Sequence, residues 1–205
     1  MAFRVGGRKD SGESGKKWAA AFIGFIMLAS VAGFVVTMIP SDSQNNFRYG
    51  GITFKQSPDG FYNAKMGGTN VGFFYRPEDV SGIEIPGSVA EQLAGTKAAY
   101  VSYDWNSTLS QELALLQFDL LGLLDAKGVF AQPAFTTPNQ MNLTVKTCDD
   151  ATMFVPIIIL QESANESIRL DSKNPDCMIL EAAAGNSLLR LGDRLKYSII
   201  SGGKE

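Results

Sequence analysis

Histidine is absent from all 205 residues of this chain, and cysteine occurs only twice. Without histidine there is no Ser-His-Asp or Cys-His catalytic arrangement, and the commonest nitrogen ligand of zinc is missing. Cys148 and Cys177 therefore favour a disulfide, since the alternative, a metal pair, needs further cysteine or histidine ligands to complete a structural zinc site. The bond would close a loop of 28 intervening residues and add roughly 3 to 4 kcal/mol of stability. We expect it to hold the last helix against a sheet.

Charged residues are missing from one long stretch, the 22 residues 18–39. At about 1.5 Å per residue, a helix of this length spans roughly 33 Å and crosses a hydrocarbon core of about 30 Å. Ser30, Val31 and Ala32 resemble a signal-peptide cleavage site, but the apolar run continues beyond them to residue 39. We therefore expect a retained transmembrane anchor rather than a cleaved signal.

The predicted organisation has four parts. They are a disordered cytoplasmic tail at 1–17, a transmembrane helix at 18–39, a linker at 40–46 and an exterior α/β domain at 47–201. The tail has five basic and two acidic residues, whereas residues 41–205 have 13 basic and 19 acidic ones. By the positive-inside rule the tail is cytoplasmic and the large domain lies outside, which predicts a single-pass protein of the cell membrane.

The predicted exterior domain is acidic, so it offers no basic surface for nucleic acid. Its expected partners are membrane lipid, through the anchor, and either a protein or further copies of itself. Three N-x-[ST] sequons, at Asn106, Asn142 and Asn165, agree with an exterior location and are candidate glycosylation sites.

Strand and helix patterns are mixed within this domain, and we predict an α+β or α/β fold with one mixed sheet packed by two main helices. Alternating aromatic and polar residues predict antiparallel strands from Phe47 onward. A Leu-rich amphipathic pattern predicts a helix at about 108–126. A second helix is predicted at about 186–200, where Gly202 marks its end.

Between these two helices the pattern is less regular. Residues 131–140 contain Pro133 and are expected to form a loop, and strands are predicted at 142–147 and 152–161. Pro156 cannot donate a ladder hydrogen bond, so we expect its strand to have an edge position or a bulge.

Five short segments of the domain carry a family resemblance: 76–80, 147–152, 165–168, 176–177 and 193–197. Together they resemble a set of archaeal single-span membrane proteins with no assigned function. The most specific part is 147–197, which holds both cysteines, although Asn165-Glu166-Ser167 stands where the family has Asn-x-Thr. The resemblance implies an anchored, disulfide-bearing exterior domain and transfers no activity.

Few residues suggest chemistry, and the sequence assigns no catalytic residue, cofactor or metal. Asp104 is the candidate ligand site, because it ends a predicted strand just before a helix, where ligands gather in open α/β sheets. A structural carboxylate at a helix N-terminus is the competing interpretation. Asp149 and Asp150 lack the spaced oxygens of a known calcium loop.

Two further groups have structural interpretations. Arg190, Asp193 and Arg194 have the spacing of an ordinary solvated helix face. The aromatic residues favour a core over a recognition surface; they are Phe47, Tyr49, Phe54, Phe61, Tyr62, Phe73, Phe74 and Tyr75.

Three functional hypotheses follow. The leading one is a non-catalytic binding or structural component of the cell envelope. The second is an exterior hydrolase that uses two carboxylates, Asp104 and Asp119, in the manner of a glycosidase. The third is a pilin-like subunit, suggested by the short basic tail before an apolar helix, although no acidic residue occurs early in the apolar run.

Overall fold

The computed structural model describes residues 46–139 and 142–202. The predicted tail, the transmembrane helix and all but the last residue of the linker lie outside these ranges, so the anchor stays a prediction. Among the described residues, no helix has the length and apolar character needed to span a membrane. The described residues form nine strands and four α-helices.

The first sheet is an antiparallel meander of four strands in chain order. The strands are β1 (Phe47–Tyr49), β2 (Ile52–Gln56), β3 (Tyr62–Met66) and β4 (Thr69–Phe73). Gly50-Gly51 and Gly67-Gly68 connect the outer pairs, and all four glycines have positive φ. A two-residue hairpin of type I′, whose twist matches that of the strands, needs positive φ at both positions, which glycine adopts without strain.

The second sheet has five strands in the order β6-β5-β7-β9-β8. The strands are β5 (Ala98–Tyr103), β6 (Phe130–Phe135), β7 (Ile157–Glu162), β8 (Ser167–Leu170) and β9 (Cys177–Ala182). All neighbours are parallel except β8 and β9, which are antiparallel. The sheet is therefore mixed, with β6 and β8 at its edges.

Four helices complete the domain: α1 (Pro77–Val80), α2 (Gly87–Gly95), α3 (Ser110–Ala126) and α4 (Asn186–Ser201). The main core contains side chains from both sheets and from α3 and α4, so these two helices form a layer between the sheets. The expected α+β character and the two main helices are confirmed. The prediction of a single sheet was wrong. The first four strands form a separate antiparallel sheet, which covers the helix layer from the other side.

Three local predictions were also wrong. Residues 130–135 form edge strand β6, although a loop was expected around Pro133. On the side of β5, the N–H groups of Phe130 and Thr136 donate to the carbonyls of Lys97 and Tyr103, whereas Phe135 donates outward to Thr144. Because these directions alternate, the nitrogen of Pro133 faces away from β5, where no ladder bond is lost. Residues 142–147 form an isolated bridge at Val145 in place of a strand. Pro156 precedes β7, which is central, so its position implies neither an edge nor a bulge.

The predicted disulfide is present between Cys148 and Cys177, with 5.2 Å between their Cα atoms. Cys148 begins a short 3₁₀ turn, Cys148–Asp150, and Cys177 is the first residue of β9. Cys177 belongs to a small core with Ile157 and Ile159, separate from the main core that includes α4. The bond therefore ties a loop to the sheet face opposite the helices, and the expectation that it holds the last helix was wrong.

Candidate functional site

A cavity of about 710 Å³ lies between the first sheet and the first three turns of α3 and α4. This volume is within the range of about 300 to 1,000 Å³ that is usual for ligand pockets. Its wall is mainly apolar: Phe61 comes from the loop before β3, Phe74 follows β4, Leu115 belongs to α3 and Leu188 to α4. Such a cavity suits an apolar group.

Three glycines also line the cavity: Gly72, Gly185 and Gly192. A Cβ atom at Gly192 would lie 2.5 Å from Leu116 Cδ1, so glycine allows α3 and α4 to approach closely here. A Cβ atom at Gly185 would meet nothing within 4 Å, and one at Gly72 only the Asn63 Oδ1 atom at 3.8 Å. At these two positions the missing side chains leave open space.

The floor of the cavity is a buried ion-pair network centred on Lys196, whose side chain is 1% exposed. Its Nζ atom lies 2.5 Å from Asp119 Oδ2 and 2.7 Å from the backbone oxygen of Gly72. It also lies 2.7 Å from Asp193 Oδ1, an ion pair without hydrogen-bond geometry. The network joins β4, α3 and α4, which are three of the elements that line the cavity.

Asp193 connects this network to the backbone. Its Oδ2 atom accepts hydrogen bonds from the N–H groups of Phe74 at 2.6 Å and Tyr75 at 2.8 Å, where the chain leaves β4. Burial raises the pKa of the Asp193 carboxyl, against the opposing effects of Lys196 and the two N–H donors. The expected solvated face was therefore wrong for Asp193, which is fully buried, because α4 is covered on two sides.

An aromatic ring completes the environment of Lys196. Its Nζ atom lies 4.5 Å from the centroid of the Phe73 ring, a cation–π distance. Phe73 is buried and stacks on Tyr197 of α4. The lysine is thus held by charge, by hydrogen bonds and by an aromatic face.

Exposed apolar side chains lie at the mouth of the cavity and next to it on α3. Leu115 is 71% exposed, and Phe118, one turn further along α3, is 78% exposed. Phe61 and Phe74 contact each other edge to face at 5.0 Å and are partly exposed. Of the aromatic residues considered from sequence, Phe61, Phe73 and Phe74 line the cavity, and Phe54 and Phe73 belong to the core, as expected.

Acidic side chains stand among the cavity-lining residues. Asp59 and Glu112 are exposed, and within the described ranges no cationic group pairs with either. Asp119 is one-third exposed and directs one oxygen at Lys196. The wall of the cavity therefore combines apolar surface with unpaired negative charge.

Asp104, the candidate ligand residue, is not among the residues that line this cavity. Its Oδ1 atom accepts hydrogen bonds from the Asn106 N–H at 3.0 Å and the Thr137 hydroxyl at 2.8 Å. The backbone bond from Asn106 is the largest of the effects that lower the pKa of Asp104. Its contacts are those of a residue that organises the loops after β5 and β6.

Glu162, at the end of β7, had no role in the sequence analysis. Its two carboxylate oxygens accept hydrogen bonds from Ser107 at 2.6 Å and Thr108 at 2.7 Å, just before α3. This is the carboxyl edge of the parallel strands, where open α/β sheets bind ligands. The hydroxyl bonds are the main reason that the pKa of Glu162 is lowered. The Glu162 carboxylate thus occupies the position beside the start of α3 where a ligand could otherwise bind.

The other sequence candidates lie apart from the cavity. Arg190 pairs with Glu166 at 3.7 Å, and Arg194 donates to the Ile83 carbonyl at 2.8 Å, so they form no common ligand cluster. Asp150 accepts a hydrogen bond from the Thr147 N–H, and this bond is the main reason that the pKa of Asp150 is lowered. Asp149 is exposed. Within the described ranges, no cluster of three or more potential metal ligands occurs.

The three sequon asparagines, Asn106, Asn142 and Asn165, are all exposed. Their exposure is compatible with glycosylation, which stays a prediction.

Lys196 was the main residue that sequence reasoning missed. Asp193 and Lys196 are three apart on α4 and interleave with Leu191 and Leu195, so they lie next to the apolar stripe. That adjacency was the available signal. The sequence gives no indication that a second sheet covers this part of the helix.

Comparisons with known proteins return no match. No protein-family model fits the chain, and neither a curated protein nor a solved structure resembles it significantly.

Proposed function

We propose that this chain is a membrane-anchored, non-catalytic component of the cell envelope whose large domain binds a partner protein through the cavity beside α3. The observation that carries the proposal is the apolar cavity of about 710 Å³, which is lined by exposed Leu115 and continued along α3 by exposed Phe118. Exposed apolar surface around a pocket is typical of binding sites. The anchor and the exterior location rest on the charge-free run and on the charge distribution of the sequence.

The polar floor of the cavity supports a binding role over a catalytic one. Three oxygens lie within 2.7 Å of Lys196 Nζ: two accept hydrogen bonds, and the third, Asp193 Oδ1, forms an ion pair. One oxygen of Asp193 is occupied by two backbone N–H groups, and the other contacts Lys196. Both groups are engaged in holding the fold, so neither is poised to transfer a proton to a substrate.

The carboxylate pair that motivated the hydrolase hypothesis is not assembled in the cavity. Asp119 lines it, but its Oδ2 atom is bonded to Lys196. Asp104 lies at the end of β5 and bonds loop residues. A hydrolase of this kind needs both carboxylates in one concave site.

Site-specific photo-crosslinking in native membranes tests the proposal. A benzophenone amino acid replaces Phe118 beside the cavity or, as a control, Phe154, which is equally exposed elsewhere. We expect a protein adduct from position 118 and none of the same mass from position 154.

A second substitution connects that adduct to the cavity. Leu115→Glu places a charge at the apolar mouth, and Leu143→Glu makes the same change at another exposed leucine. We expect Leu115→Glu to reduce the adduct at least fivefold and Leu143→Glu to leave it unchanged. A lack of adduct at 118, or an adduct insensitive to Leu115→Glu, would refute the proposed function.

A further inference from the structure

We infer that the partner segment which enters this cavity carries a lysine or arginine flanked by apolar side chains. The inference rests on the proposed function and deepens it by assigning the chemistry of the occupant. Its basis is the combination of an apolar wall with uncompensated carboxylates.

The charges of the cavity-lining residues are one-sided. Four are carboxylates, Asp59, Glu112, Asp119 and Asp193, and one is an ammonium group, that of Lys196. Lys196 is buried and paired internally with Asp119 and Asp193, so it presents no cation to an occupant. Asp59 and Glu112 are exposed and have no cationic partner in the described part of the chain. The cavity therefore presents a negative potential to whatever enters it.

A complementary potential is the general rule for charged contacts between proteins, whereas like charges brought together are strongly unfavourable. An acidic segment would bring its charge against Glu112 and Asp59 in a partly dehydrated site. A basic side chain would pair with them, and its aliphatic stem would lie along the apolar wall. Partner segments with a basic residue are thus favoured over neutral or acidic ones.

The aromatic pair at the mouth favours the same occupant. Phe61 and Phe74 present a partly exposed edge-to-face pair, and aromatic faces attract ammonium and guanidinium groups by about 0.5 to 1 kcal/mol at exposed sites. Leu115 and Phe118 extend the apolar surface along α3 beyond the cavity. This extension suits apolar residues on either side of the basic one.

Three probes that differ only in the head group test the charge preference. They are 2-phenylethylammonium, 2-phenylethanol and 3-phenylpropanoate, each titrated to about 50 mM into the full chain in phosphatidylcholine nanodiscs. The reporter is the ¹⁹F resonance of 4-trifluoromethylphenylalanine in place of Phe74, with Phe154 labelled in a parallel sample as the control. We expect the ammonium probe to shift the resonance at position 74 with an apparent Kd at least threefold lower than that of the alcohol. The carboxylate should bind weakest.

Two matched variants identify the groups responsible. Glu112→Gln removes one carboxylate of the cavity wall, and Glu91→Gln removes an exposed carboxylate of α2 that does not line this cavity. We expect Glu112→Gln to reduce the ratio of the alcohol Kd to the ammonium Kd at least twofold. Glu91→Gln should leave this ratio unchanged. The ammonium probe should also reduce the protein adduct at position 118, because both occupants would compete for the cavity. A cavity that binds only small amines would give no protein adduct at this position.

Each result decides between the inference and the function it rests on. If ammonium and alcohol bind equally, or the carboxylate binds best, the basic segment is refuted while apolar binding in the cavity stands. If none of the three probes moves the resonance at position 74, the cavity takes no apolar group and both proposals fail.

Discussion

Replacing Lys196 with methionine tests whether the buried network holds the cavity together. Methionine has nearly the length of lysine and no charge, so the variant removes the ammonium and leaves Asp193 buried with only its two backbone N–H donors. Breaking a buried ion pair by removing one partner costs about 3 to 5 kcal/mol, because the remaining charge is uncompensated. The Gly72 carbonyl also loses its donor. We expect a loss of about 3 to 5 kcal/mol in the free energy of unfolding.

The double variant Lys196→Met/Asp193→Asn separates charge from packing. It removes both members of the pair, while the asparagine oxygen still accepts the N–H groups of Phe74 and Tyr75. Since replacing a whole buried pair by uncharged groups is often nearly neutral, we expect at least half of the lost stability to return. Lys65→Met, at an exposed position of β3, should change the stability by less than about 0.5 kcal/mol.

The pH dependence of the single variant has a defined sign. Burial already raises the pKa of Asp193 in the folded protein, and without Lys196 the folded pKa should rise further. A carboxyl with a raised folded pKa contributes stability that is fully present below the unfolded value and lost as pH rises through the folded value. The deficit of Lys196→Met should therefore be larger at pH 7 than at about pH 5.

Urea unfolding of the full chain, followed by far-UV circular dichroism at both pH values, measures these differences. The reasoning is refuted if Lys196→Met costs less than about 1 kcal/mol, if its deficit is equal at the two pH values, or if the double variant is no more stable than the single one.

Two further predictions concern the turns and the disulfide. Gly67→Ala should destabilise the domain more than Gly68→Ala, by about 3 against about 1 to 2 kcal/mol, because both have positive φ but only a Cβ at Gly67 lies 2.5 Å from a backbone oxygen of α3. Equal losses in urea unfolding would contradict this. Cys177→Ser and Cys148→Ser should each lower stability by roughly 3 to 4 kcal/mol through loss of the crosslink. Cys177→Ser should cost about 1 to 3 kcal/mol more, since its hydroxyl would be fully buried; a larger loss for Cys148→Ser in thermal unfolding would contradict it.

The local elements were predictable where a single segment determines them. The helix expected at 186–200 is found as α4, and it ends at Gly202 in the left-handed conformation. The helix expected at 108–126 is α3, with the same last residue. In both cases the apolar repeat of the segment itself encodes the structure.

Relations between distant segments were not predictable in the same way. Whether β1 to β4 join the other strands or form a second sheet depends on which face of the helix layer they cover, and no local pattern reports that. Pro133 shows the same limit. Its neighbours can form a strand because β6 is an edge strand and the proline nitrogen faces away from β5. The edge position follows from the strand order, which the local sequence does not determine.

The candidate site follows from this long-range arrangement. A helix packed on one sheet needs a single apolar stripe, and Asp193 and Lys196 then belong to its solvated side. Once a second sheet covers that side, both side chains are enclosed and must be paired. They pair with each other, with Asp119 and with backbone groups around the end of β4.

Gly72 bears on two explanations of the cavity, a ligand-binding site and a packing defect. It lies inside β4, where glycine weakens a strand, and its φ is not among the positive values of the described glycines. A Cβ atom there would meet only one side-chain oxygen, at 3.8 Å, so neither backbone conformation nor close packing requires glycine. What its absent side chain does provide is volume in the cavity wall, next to a carbonyl that binds Lys196. Glycine within a strand often marks a close approach of backbone to a ligand, and at Gly72 the cavity is the place where such a ligand would lie.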